Sequence, residues 1–228
     1  MSHAKQAAAE KRKVGIFVVD DHPVVRQGIR MLVGQEPDLT VCGDADNASD
    51  ALTAIEHLKP NLAIVDLSLK SGSGMELIKD LQIRCPKVSI LVLSMHDESF
   101  YAERALRAGA KGYVNKAEGP EKVIEGIRRI LRGEVFLSEK VVSRMLSRLA
   151  DGRTANAANL AECLTDRELQ VFELIGTGKG AQEIAVQLHL SVKTIETHRE
   201  HIKQKLKLEG SKDLLKLAIQ WVQSEKKI

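Results

Sequence analysis

The chain has 228 residues, 43% of them apolar and 29% charged, with a net charge of only +3. That length suits two small domains better than one, and the composition is that of a globular protein with a packed core in each half. No apolar run approaches the roughly 18 residues of a membrane span and residues 1–13 lack the apolar stretch of a signal peptide, so a cytoplasmic protein without membrane contact is expected.

Five short apolar runs lie between Val14 and Gly133: Val14–Val19, Leu39–Cys42, Asn61–Val65, Val88–Leu93 and Gly112–Val114. They alternate with helical patterns, and such alternation predicts a parallel sheet covered by helices on both faces. The first helix carries Val25, Ile29, Leu32 and Val33 at helical spacing, the second Ala51, Leu52, Ile55 and Leu58. Asn47 or Ser49 can cap the second, and Gly109 stops the fourth. Cys42, Cys85 and Cys163 are far apart and form no Cys-x-x-Cys spacing, which argues against a disulfide framework or a zinc site. They are expected to be small buried apolar residues.

The polar residues at the ends of these runs carry the chemistry. Asp20 and Asp21 end the first, Asp66 the third, Ser94 the fourth and Lys116 the fifth. In an open α/β sheet, ligands bind outside the carboxyl ends of the strands, so these groups converge. Three carboxylates repel one another and call for a hard oxygen-loving cation such as Mg²⁺. A carboxylate can attack phosphorus to give an aspartyl-phosphate. Asp66 is thus the candidate nucleophile, Asp20 and Asp21 the metal ligands, Lys116 the neutralising charge and Ser94 a hydrogen-bond donor to the phosphoryl oxygens. Taken singly, each acid is equally well read as a helix cap or loop residue and the lysine as a solvated charge.

Beyond Gly133 the pattern from Val135 to Leu146 predicts a short helix, and the small and polar stretch of residues 150–159 predicts a linker. Thr165-Asp-Arg-Glu168 has the form of a capping box and opens a helix through Leu169, Phe172 and Ile175 that stops between Gly176 and Gly178. Helices follow from about Ala181 to His189, from an N-cap at Ser191 to about Leu206, and from Ser211 to Gln223. The tight Leu190-Ser191 junction describes a helix-turn-helix. Residues 14–135 carry 15 Lys and Arg against 18 Asp and Glu, and residues 161–228 carry 11 against 10. Nucleic-acid binding by the second half must then rest on local clustering.

The five strand-end residues, in this strand order, resemble the receiver domain of two-component response regulators. The segments Leu164–Ile175 and Glu183–His198 resemble the LuxR-type helix-turn-helix. Together they resemble the NarL/FixJ subfamily over roughly residues 14–225. The resemblance implies a flavodoxin-like α/β receiver with a five-stranded, doubly wound parallel sheet at 14–133, a connecting helix and linker at 134–160, and an all-α, four-helix DNA-binding domain at 161–228. It implies a cognate histidine kinase that phosphorylates Asp66, a Ser68 backbone carbonyl as a further Mg²⁺ ligand, and a coupled movement of Ser94 and Tyr113, although Tyr113 could instead be a plain surface aromatic. Ala117 follows Lys116 where many receivers have proline. Lys179 could replace a phosphate contact that Lys179-Gly-Ala-Gln182 otherwise lacks.

The helix from Ser191 should enter the major groove of double-stranded DNA. Lys193, Thr194, Arg199 and Lys203 are the candidate phosphate contacts. Glu196, Thr197 and Glu200 stand at the positions that face bases in the family, where Glu can accept from cytosine and Thr can touch a thymine methyl. Glu200 could instead pair with a neighbouring lysine. Leu214, Leu217, Ala218 and Trp221 form either a dimer surface or part of their own domain's core. The expected protein is a phosphorylation-activated transcription regulator, homodimeric when phosphorylated and not an enzyme toward other substrates. A phosphatase built on Asp66 and an unphosphorylated adaptor are the competing readings. Against the first, Ser68 cannot protonate a leaving group; against the second, every acid and the lysine are present.

Overall fold

The computed structural model describes residues 13–69, 71–150, 163–188 and 190–226. Two compact units divide between Ser138 and Glu139. The expected linker at residues 150–159 falls, apart from Ala150, outside the described residues, as do residues 1–12.

In the first unit, strands β1 (Val14–Val19), β2 (Leu39–Ala45), β3 (Leu62–Val65), β4 (Ser89–Ser94) and β5 (Gly112–Asn115) form one parallel sheet in the order β2-β1-β3-β4-β5. Five helices connect and follow them: α1 (Pro23–Gly34), α2 (Ala48–Leu58), α3 (Gly74–Arg84), α4 (Glu98–Ala108) and α5 (Pro120–Leu131). Helices α1 and α5 pack together, while α2, α3 and α4 run side by side, so the sheet is doubly wound. Successive strand residues point to opposite faces. Ile16, Val18, Ile64, Leu91 and Leu93 accordingly share one core with Ile29, Val33, Val123 and Ile127.

Local chemistry sets the helix ends. The Asn47 side chain, rather than Ser49, caps α2 by accepting from the Asp50 N–H at 2.9 Å. Gly109, at φ 116°, stops α4 in the left-handed conformation. Strand β2 runs three residues beyond its apolar stretch, pairing Gly43–Ala45 with Phe17–Val19, and a bulge between Ile16 and Phe17 leaves Cys42 opposite no partner. The cysteine expectation is corrected: Cys42, at this bulge, and Cys163 are exposed, and Cys85 is half-buried.

Residues 134–138 do not open a helix, contrary to the amphipathic pattern. Phe136 is buried in the first core; its N–H donates to the Lys111 carbonyl and its carbonyl accepts from the Tyr113 N–H, both at 2.9 Å. This extended piece bridges Gly112 on β5, and α6 begins only at Glu139 (Glu139–Ala150).

The second unit contains α6 together with α7 (Asp166–Gly176), α8 (Ala181–Gln187), α9 (Val192–Lys205) and α10 (Ser211–Lys226). The capping box opens α7: the Thr165 hydroxyl accepts from the Glu168 N–H, and the Glu168 carboxylate accepts from the Thr165 N–H at 2.8 Å. Helices α7 and α10 cross closely, since a Cβ on Gly176 would lie 2.5 Å from the Ala218 carbonyl oxygen. Leu214 and Ala218 are fully buried there, and Trp221 packs its ring 5.5 Å from Phe172. The proposed dimer stripe is corrected on this point: Leu214, Ala218 and Trp221 belong to the domain's own core, with Leu217 half-buried at its margin.

Candidate functional site

Strand register assembles an acidic pocket. Val19 on β1 sits beside Val65 on β3, so the next residues, Asp20 and Asp66, emerge side by side; the Asp66 N–H donates to the Val19 carbonyl at 2.8 Å. Ser94 ends β4 opposite Asn115 of β5, and the following Lys116 N–H donates to the Ser94 carbonyl at 2.9 Å. The Lys116 ammonium lies 2.7 Å from Asp20 Oδ2 and 2.5 Å from Asp66 Oδ2. Asp20, Asp21 and Asp66 are only 2%, 4% and 2% exposed.

Burying three carboxylates around one ammonium sets the electrostatics. Desolvation pushes the Asp66 carboxyl above its ordinary value, against the downward pull of Lys116. Desolvation also works against the Lys116 charge, but Asp66 and Asp20 together hold its pKa above the usual lysine value, so it stays an ammonium. Ligand atoms of Asp20, Asp21, His22 and Asp66 all lie within 4.8 Å of one another. Asp21 Oδ1 is buried and accepts no hydrogen bond in the structure, although the His22 ring nitrogen stands 2.7 Å away. A buried carboxylate oxygen without a donor is costly, and the three carboxylates of this set suit a hard cation such as Mg²⁺.

The rest of the predicted set stands at the end of β4, on β5 and in the loop after β3. The Asp66 carboxylate accepts from the Ser68 N–H at 3.2 Å, and the Ser68 hydroxyl meets His96 Nε2 at 2.8 Å. Ser94 is fully buried with its hydroxyl facing the His96 N–H. Tyr113 is 2% exposed, which rules out the surface-aromatic reading. Its hydroxyl donates to the His96 carbonyl at 3.0 Å, a carbonyl that Asn115 also reaches.

A second set of residues lines α9. Ser191 caps this helix, its hydroxyl accepting from the Thr194 N–H at 3.1 Å. Ile195 and Ile202 are buried, and Lys193, Glu196, Thr197 and Glu200 are exposed together at helical spacing. Thr194, Arg199 and Lys203 are half-buried at the flanks. Each glutamate of this face is paired within the helix, Glu196 with Arg199 at 3.2 Å and Glu200 with Lys203 at 2.7 Å. Lys205 anchors α9 to the buried Glu168 of α7 at 2.6 Å. Arg167 donates to the Leu188 carbonyl at 2.8 Å, tying α7 to the end of α8, and Lys179 bonds Gln187.

Comparison with known proteins assigns a family to each half of the chain. Residues 16–128 match the response regulator receiver domain, and residues 162–218 match the bacterial regulatory proteins of the luxR family. The chain is 35% identical over 208 residues to the oxygen regulatory protein NreC of Staphylococcus carnosus (strain TM300), covering 90% of this chain and 96% of that protein. The chain belongs to the two-component response regulators of the NarL/FixJ (LuxR) type. NreC of Staphylococcus aureus (strain MRSA252) is 34% identical over the same lengths. Among solved structures, RcsB from Salmonella enterica serovar Typhimurium, bound to promoter P1flhDC in the presence of phosphomimetic BeF3⁻, aligns with a TM-score of 0.60 and 27% identity over 91% of this chain and 98% of that one. A LuxR-family response regulator from Aurantimonas sp. SI85-9A1 aligns with a TM-score of 0.57 and 30% identity over 60% of this chain and 99% of that one. This response regulator is a phosphorylatable transcription regulator that binds DNA. Among its described residues, no helix is long and apolar enough to cross a membrane.

Sequence reasoning passes over several residues of the regulator's pocket. His22 and His96, in loops, and Asn115, at the end of β5, take places in the pocket that no periodicity encodes. Only their places, beside Asp21, two residues beyond Ser94 and just before Lys116, could have pointed to them. Gly74 is equally silent in sequence, yet a Cβ there would fall 1.9 Å from the Asp66 carbonyl oxygen.

Proposed function

We propose that Asp66 is the phosphoacceptor of this regulator and that a cognate histidine kinase supplies the phosphoryl group. The observation that carries this reading is the buried Lys116 ammonium shared between Asp66 and Asp20, beside an Asp21 oxygen left without a donor. Asp66 attacks phosphorus as the carboxylate; the new O–P bond forms as the N–P bond of the phosphorylated imidazole breaks, and because the second ring nitrogen carries a proton the imidazole departs neutral. Lys116 favours the ionised form of Asp66 against the effect of its burial and then pairs with the phosphoryl oxygens. Asp20, Asp21, Asp66 and the Ser68 carbonyl would hold Mg²⁺, which when bound supplies charge neutralisation at the transferring group. Ser94 donates to a phosphoryl oxygen, and Tyr113, already turned inward onto the His96 carbonyl, follows it.

Phosphorylation then acts on DNA binding through α9. Lys179, Lys193, Thr194, Arg199 and Lys203 position the duplex, and Glu196, Thr197 and Glu200 face the bases. A single helix-turn-helix reads few base pairs, so a homodimer on paired half-sites is the functional form. RcsB, a similar structure, has been solved as two dimers bound to two parallel DNAs. The surface that fits this role here is the outer side of α10, where Leu215 and Ile219 lie among Lys212, Lys216 and Gln220. The cytoplasm, where kinase and DNA meet, is the proposed location.

Intact mass after incubation with a small acyl phosphate and Mg²⁺ tests the central step. One phosphate adduct is expected on the parent and none on Asp66→Asn or without the metal; an adduct that survives Asp66→Asn would move the acceptor elsewhere. Sedimentation with and without BeF3⁻ tests whether phosphorylation promotes the dimer, which an unchanged mass and shape would rule out.

A further inference from the structure

The loop between β1 and α1 carries two of the three pocket acids, and something must hold it against their mutual repulsion. The Asp20 N–H donates to the Ala45 carbonyl at the end of β2, at 3.1 Å. On the other side of the same residue, Arg26 Nη1 of α1 donates to the Asp20 carbonyl at 2.6 Å. The same guanidinium turns its Nε to Asp44 Oδ2 of β2 at 2.9 Å, and Arg30, one turn further along α1, also binds Asp44. The Asp20 carbonyl belongs to the peptide that joins Asp20 to Asp21. Fixing its plane therefore fixes the starting direction of both carboxylates, including the Asp21 oxygen that has no donor. A planar fork that reaches a carbonyl and a carboxylate at once is a geometry that arginine supplies and lysine does not.

We infer that Arg26 is a positioning residue for the cation site, bracing the Asp20–Asp21 peptide against Asp44 so that both acids meet a bound divalent ion without reorganisation. This rests on the reading of Asp20, Asp21 and Asp66 as that site. Partners that orient metal ligands without touching the metal commonly change metal affinity by about 10–100-fold when removed. The alternative, that Arg26 acts only through its charge, predicts the opposite sign: deleting a cation near a divalent-metal site strengthens binding. The fold keeps its ion pair without Arg26, because Arg30 still holds Asp44.

The test is calorimetric titration of the full chain with MgCl2 at constant ionic strength, for the parent, Arg26→Gln, Arg26→Lys, Arg30→Gln and Asp21→Asn, with thermal midpoints measured on each metal-free protein. Arg26→Gln should raise the Mg²⁺ dissociation constant at least about 10-fold with little change in midpoint. Arg26→Lys should fall between it and the parent, and Arg30→Gln should bind no more weakly than the parent. Arg26→Gln binding as tightly as the parent or more so overturns the inference, as does an equal loss in Arg30→Gln. A parent that takes up no Mg²⁺, or an Asp21→Asn variant that binds unchanged, overturns the metal reading itself and this inference with it.

Discussion

The two halves of this regulator use charge in opposite ways. In the receiver, Asp20, Asp21, Asp66 and Lys116 are almost wholly buried and come from three different strand ends. On α9, Glu196, Arg199, Glu200 and Lys203 belong to one helix, stand at least partly in water and pair with a neighbour three residues away. Helical pairs of that kind contribute about 0.2–0.5 kcal/mol each, whereas breaking a buried pair costs about 3–5 kcal/mol. The pocket therefore responds strongly to one added group, while the α9 pairs cost little to exchange for other partners. The lesson is that switching needs buried, over-determined charge and reading needs charge that is cheap to re-pair.

That contrast can be broken most forcefully at Gly74. A Cβ there meets the Asp66 carbonyl oxygen and the Leu67 Cα at 1.9 and 2.7 Å, neither of which can swing aside. Gly74→Ala should abolish the phosphate adduct as completely as Asp66→Asn and cost about 3 kcal/mol; an adduct of normal yield by intact mass would show the pocket to be softer than its packing implies. Next is Lys116→Met, which leaves Asp20 and Asp66 buried without a cation. Urea unfolding in the absence of metal should show a loss of about 3 kcal/mol. The loss should shrink on acidification, because burial raises the Asp66 pKa and a protonated carboxyl needs no partner. A pH-independent loss would deny that electrostatics is its cause.

In the second unit the largest effect is one of packing. Gly176→Ala forces α7 off the Ala218 carbonyl and should destabilise by about 2 kcal/mol, read as a lowered transition of that unit in scanning calorimetry of the full chain. Glu168 comes next. Although burial works to raise it, Lys205 and the Thr165 amide and hydroxyl bring its pKa below the usual glutamate range. A depressed carboxyl contributes stability that is complete above its unfolded pKa and is lost as pH falls through the native value. The transition of this unit should therefore drop between about pH 5 and about pH 3, and less so in Glu168→Gln; parallel profiles would acquit Glu168. The smallest effect belongs to α9. Glu200→Ala releases Lys203, which should steepen the salt dependence of non-specific DNA binding by about one unit, and an unchanged slope would leave Lys203 away from phosphate.

Much of this was legible in the sequence, for identifiable reasons. Parallel strands buried on both faces read as apolar runs, so all five strands and their order of appearance follow, and the acids at their ends follow with them. Convergence of Asp20, Asp66 and Lys116 needs only the rule that strand ends share one side of the sheet. What remained hidden depends on shape. The bulge at Cys42 sets a side chain outward against its composition. The pattern from Val135 onward looks amphipathic through Ser138, yet backbone pairing with β5 wins over helix propensity until Glu139. The α10 stripe is apolar at the right period, but periodicity does not say whose core it enters, and Gly176 decides that by letting α7 approach.

Phe136 has a practical corollary. The sheet has two rims, β2 and β5, and an uncovered rim is a template for unwanted strand pairing. Along part of β5 the chain supplies its own cover, as Phe136 takes up the Tyr113 amide and Lys111 carbonyl before α6 begins. A fragment cut at Gly133, the natural place to trim by sequence, would bare those groups and the apolar seat of the Phe136 ring, and should clump on expression. One ending at Ser138 keeps the hem sewn.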